Sequence, residues 1–104
     1  MTIPITETKP MRDFPESSAE VAPQRLLDGD NLAVALVNLD AGQAVEPCRM
    51  SATVLYYVIK GQGVLRVENE QVEFQSGSLL QVPAGTVRTI SAAEKTRVLA
   101  VQVP

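Results

Sequence analysis

The clearest signal along the chain is a period of two. Leu65 and Val67 alternate with Val64, Arg66 and Glu68; after Asn69-Glu70, Val72 and Phe74 alternate with Gln71, Glu73 and Gln75. This pattern predicts two antiparallel strands with one dry and one wet face, joined by a two-residue turn where Asn69 tolerates a positive φ. Residues 32–39 and 53–59 are apolar on both parities, which predicts strands covered on both faces. In the second of these, Val54, Tyr56 and Val58 share one face while Leu55, Tyr57 and Ile59 share the other. Residues 24–27, 78–82, 87–90 and 97–103 supply further strands, with a turn at Asp28-Gly29-Asp30-Asn31. No segment sustains a 3.6-residue period long enough for a core helix. The chain reads as an all-β sandwich or barrel.

The first twenty residues differ. Pro4, Pro10 and Pro15 with the polar run Glu16-Ser17-Ser18-Ala19-Glu20 exclude a helix and a central strand. Residues 1–20 are read as an extended arm, lying along a sheet edge or disordered, and residues 21–104 as the barrel domain. At 104 residues there is room for one core. A net charge of −3, with scattered basic residues, argues against a nucleic-acid partner. No apolar run approaches a membrane span. A single cysteine, Cys48, and the lack of a secretory leader point to a reducing cytoplasm. Histidine is absent altogether, which removes the commonest metal ligand and the commonest acid–base group near neutral pH.

Glycines and a proline frame two motifs. The first is Gly42-Gln43-Ala44-Val45-Glu46-Pro47-Cys48-Arg49-Met50, then Val54, then Tyr57-Val58-Ile59-Lys60-Gly61. The second is Gly77-Ser78-Leu79-Leu80-Gln81-Val82-Pro83-Ala84-Gly85-Thr86-Val87-Arg88. Turn chemistry places Gly61 and Gly63 in a tight turn about Gln62, Gly77 at the end of the hairpin loop, and Pro83-Ala84-Gly85 in a β-turn. The two motifs together resemble those of the small single-domain cupins of the RmlC-like superfamily. The resemblance implies an all-β, cupin-type double-stranded β-helix, a jelly-roll barrel, that commonly pairs into a homodimer. In the family pattern, four of the positions hold metal ligands, two histidines, a glutamate and a third histidine. Here they hold Cys48, Met50, Val54 and Arg88, which the resemblance directs into the barrel mouth. No metal and no other cofactor is expected.

Each of these residues has two readings. Cys48 is either a thiolate ligand or nucleophile activated by Arg88, or a small buried hydrophobe. Met50, one residue beyond Arg49, is either a soft ligand for Cu(I) beside Cys48, or a filler of irregular core space. Val54 makes the pocket drier. Arg88 brings a permanent charge and a planar fork of donors suited to a carboxylate or phosphate; alternatively it packs its stem on the wall and pairs with Glu46. By parity the Tyr56 hydroxyl reaches the same pocket, and Gln81 lines it only if strand parity is kept. Arg49 faces solvent or a partner, and Thr86 and Thr89 are ordinary strand residues.

Three functions fit these residues. One is a non-metal binding or sensing module whose pocket of Arg88, Tyr56, Cys48, Met50 and Val54 holds a small anionic or polar ligand. Another is a metal-independent isomerase or lyase on a small carboxylate, using Arg88 for electrostatic stabilisation and Tyr56 or Cys48 for proton transfer. The third is a structural or assembly barrel with no ligand.

Overall fold

The structure, a computed structural model, describes residues 24–28, 32–45 and 47–103, with Asp28 and Cys48 described by backbone alone. The expected arm at residues 1–20, the turn at residues 28–31 and Glu46 lie outside the described residues or reach beyond them.

Among the described residues nine strands follow one another: β1 (Gln24–Asp28), β2 (Ala33–Leu39), β3 (Cys48–Arg49), β4 (Thr53–Lys60), β5 (Gln62–Val67), β6 (Glu70–Gln75), β7 (Leu79–Val82), β8 (Val87–Ala92) and β9 (Thr96–Val103). They form a five-stranded sheet in the order β1-β2-β9-β4-β7 and a four-stranded sheet in the order β3-β8-β5-β6. Every pairing is antiparallel. From β2 to β5, and again from β6 to β9, successive strands alternate between the sheets. The chain therefore winds around a shared interior, the jelly-roll arrangement that a period-two sequence with short turns anticipates. No helix among the described residues is long and apolar enough to cross a membrane.

The core lies between the sheets. Val54, Tyr56 and Val58 of β4 are all buried, as are Leu65 and Phe74 from the hairpin, Ile90 from β8 and Val98 from β9. The alternation across β4 follows the expected faces, with Tyr57 exposed and Leu55 and Ile59 half-buried. Two-sided burial is clearest in β2, where both Leu36 and Val37 are buried.

The hairpin departs from expectation by one residue. Val67 pairs with Glu70, so the turn residues are Glu68 and Asn69, and the positive φ of 53° falls on Glu68. The dry face is also incomplete, because Val72 is 46% exposed. It sits on β6, at the edge of its sheet. The tight turn expected about Gln62 reduces to Gly61 alone, with φ 111°, and Gln62 already begins β5. A Cβ at Gly61 would stand 2.6 Å from the Lys95 carbonyl oxygen, so both its conformation and its surroundings demand glycine. The two-residue strand β3 was not anticipated as an element, and Leu32 lies outside β2.

Candidate ligand-binding site

The register of the five-stranded sheet sets out the floor of the site. Leu80, Tyr56, Ala100, Ala35 and Arg25 stand in one row across β7, β4, β9, β2 and β1. The next row carries Val82, Val54 and Gln102. Large side chains at Tyr56 and Val54 flank the small ones at Ala35 and Ala100, so the interior cannot close over that stretch. A cavity of about 350 Å³ remains between the sheets. Val37, Val45, Met50, Val54 and Ile90 supply most of its wall, with Arg88 and Tyr56 as its buried polar groups.

Arg88 is drawn into the interior by its place in β8. Strand alternation turns Arg88, Ile90 and Ala92 inward, and Arg88 is only 1% exposed. Its guanidinium is held by the turn that precedes its own strand. Nε–H donates to the Thr86 carbonyl at 2.9 Å and an Nη2–H to the Pro83 carbonyl at 3.2 Å. From the opposite sheet the Tyr56 hydroxyl oxygen accepts from Nη1 at 3.3 Å. The turn is itself tied down, since the Gly85 N–H donates to the Met50 carbonyl at 2.8 Å. These three bonds use three of the five N–H groups a guanidinium carries. One N–H on each terminal nitrogen has no partner among the described residues. No carboxylate among those residues lines the cavity. Neutral carbonyls and a hydroxyl solvate the cation without cancelling its charge, and a buried unpaired charge costs several kcal/mol, on the order of what breaking a buried ion pair costs.

The structure brings Arg88, Tyr56, Val54 and Met50 around one cavity. Cys48 pairs with Arg88 in backbone register, while its side chain lies outside the described residues. So does Glu46, the alternative partner of Arg88. Gln81 faces away: it stands opposite Leu55 on the outer face and is exposed. Arg49 is exposed as expected. Thr86, expected in a strand, lies just before β8, where its carbonyl holds Arg88. Thr89 lines the cavity, and its hydroxyl donates to the Val45 carbonyl. Sequence reasoning missed Arg25 and Gln102 as lining residues.

The described side chains at the places where the family pattern holds metal ligands do not fit a metal ion. Val54 is hydrocarbon, and Arg88 places a permanent cation where a metal cation would sit. Met50 packs against the apolar core. Among the described residues no group of three His, Cys, Asp or Glu side chains converges on a point.

A two-sheet double-stranded β-helix with its site inside the barrel defines a class of protein, and the comparisons agree with it. The model of the cupin domain family matches residues 35–103, and the chain belongs to that family. An RmlC-like cupin protein from Desulfovibrio desulfuricans superposes with a TM-score of 0.84 at 14% identity, covering 96% of this chain and 97% of that one. A cupin superfamily protein from Desulfitobacterium hafniense gives 0.79 at 17% identity, covering 97% and 98%. An RmlC-like cupin with a double-stranded β-helix fold from Methanocaldococcus jannaschii gives 0.76 at 16% identity, covering 92% and 91%. At these identities the likeness is one of fold. No curated protein matches the chain by sequence.

Proposed function

We propose that this cupin is a metal-free binding or sensing module whose barrel pocket holds a small anion on Arg88. The observation that carries the reading is a guanidinium buried to 1% exposure at the wall of an apolar cavity, with no carboxylate of the described residues beside it. Evolution rarely leaves a buried cation uncompensated unless something else supplies the charge. An anionic ligand does so, and it takes up the two N–H groups left over on the terminal nitrogens.

Two measurements test this. Elemental analysis of untagged protein is expected to give metal per subunit near zero; stoichiometric metal, copper above all, would make Cys48 and Met50 ligands and overturn the reading. Thermal unfolding with acetate, benzoate or inorganic phosphate is expected to show stabilisation by at least one of them. A ligand present at a hundred times its Kd contributes about 2.7 kcal/mol by linkage. Arg88→Met is expected to abolish the effect. Equal responses in the two proteins, or no response in either, would remove Arg88 as an anion anchor.

A further inference from the structure

The cavity states more about its ligand than the sign of its charge. Among the described residues it contains one buried cation, and two of its N–H groups, one on each terminal nitrogen, have no described partner. A carboxylate brings one charge and two oxygens and matches that count. A phosphate dianion brings a second charge, for which the described lining holds no second buried cation. Thr89, whose hydroxyl is bonded to the Val45 carbonyl, and Gln102 add a polar group each, and most of the remaining described wall is hydrocarbon from Val37, Val45, Met50, Val54, Ile90 and Ala100. A sugar or other polyhydroxylated ligand would leave most of its hydroxyls without partners against that wall, each a substantial loss. Arg25 stands in the same row as Tyr56, across Ala35 and Ala100, but it is exposed to water and already engaged. A second carboxylate reaching it would gain a screened contact.

We propose that the ligand is a monocarboxylate with a compact apolar body, its carboxylate on Arg88 and its hydrocarbon over Ala35 and Ala100. This rests on the anion reading of Arg88 and narrows it. At the volume water occupies in the liquid, about 30 Å³ per molecule, the cavity takes a ligand on the order of ten non-hydrogen atoms. That range includes branched aliphatic and single-ring aromatic acids.

The test is a chain-length series on the full-length protein. Acetate, butyrate, hexanoate and benzoate are titrated by calorimetry beside inorganic phosphate, succinate and glucuronate. Each methylene moved from water into the wall tightens Kd by about fourfold, so the series is expected to steepen from acetate to hexanoate. Ala100→Val, which narrows the floor and leaves Arg88 untouched, is expected to weaken hexanoate and benzoate while sparing acetate. A flat series on the wild-type protein would overturn the proposal even if that variant failed to fold. Phosphate, succinate or glucuronate binding more tightly than hexanoate, and lost in Arg88→Met, would also overturn it while leaving the anion reading intact. No binding of any anion, or binding indifferent to Arg88→Met, would overturn both.

Discussion

Arg88 is held by contacts that a protein of this size could do without. Its three hydrogen bonds go to two backbone carbonyls and one hydroxyl, and its remaining donors point to no described partner. Replacing a buried ion pair by hydrophobes of similar volume is often neutral or stabilising, by about 1–4 kcal/mol, and Arg88 bears its desolvation cost with no described carboxylate to offset it. Arg88→Met is therefore expected to leave the ligand-free protein as stable as the wild type or more so, measured as the urea midpoint. A residue kept for ligand binding against its own cost to stability behaves this way. A midpoint that drops sharply would instead make Arg88 a structural clamp on the Pro83–Gly85 turn. The residue was legible in the sequence because glycine and proline spacing fix its place, and a charge at that place stands out. Gln102 and Arg25 were not, for a physical reason: residues 97–103 and 24–27 carry apolar side chains on both parities, so periodicity alone could not say which positions face inward.

At the scale of elements, eight of the nine strands lie where alternation places them, and the hairpin shows the limit of that reasoning. Sliding one strand past the other by two residues leaves Leu65, Val67, Val72 and Phe74 on the same face. The period of two is thus blind to the choice between a turn at Asn69-Glu70 and the observed one at Glu68-Asn69. What distinguishes the registers is packing. In the observed one Phe74 lies opposite Gly63, and its ring takes the space a side chain there would need. A Cβ at Gly63 would stand 2.7 Å from Phe74 Cζ and would collide with the Ser91 carbonyl of the neighbouring strand. The ring can turn aside; the carbonyl of β8 cannot without breaking the ladder. Gly63→Ala is expected to destabilise the fold by about 1–3 kcal/mol or more, the range of overpacked cores. A urea midpoint within error of the wild type would show that the β5–β8 pairing is looser than its register implies. Strand β3 escaped prediction for another reason. Two residues are too few for any periodicity, and Cys48–Arg49 is a strand only because β8 offers it an edge.

Across the whole molecule, the two faces of the five-stranded sheet have different fates. The inner face closes on the core and the cavity. The outer face carries Leu79, Tyr57, Leu99 and Leu36 in one row, and Gln81, Leu55, Val101 and Val34 in the next. Leu36 is already fully buried within the chain, whereas Tyr57 is 44% and Leu79 65% exposed. Two-sided apolarity in residues 32–39 and 53–59 pointed to a cover on both strands, and the single chain leaves the outer side of β4 and β7 open. Those two rows contain no charged residue, and Arg97 bonded to Asn38 forms a polar rim at one end. A face without charge meets its own copy without like-charge repulsion, and an isologous pair buries both open patches in one step. The expected species is a homodimer joined through β4 and β7, in a protein whose net charge of −3 is carried elsewhere. Sedimentation equilibrium at micromolar concentration checks it: the wild type is expected at twice the chain mass, and Leu79→Asp at the chain mass with its circular dichroism unchanged. The cavity is lined from within the barrel and Leu79 is not among its lining residues, so the Leu79→Asp protein is also expected to keep its anion-binding response. A wild-type monomer would leave the open patch without its partner and sink the assignment, whatever the pocket holds.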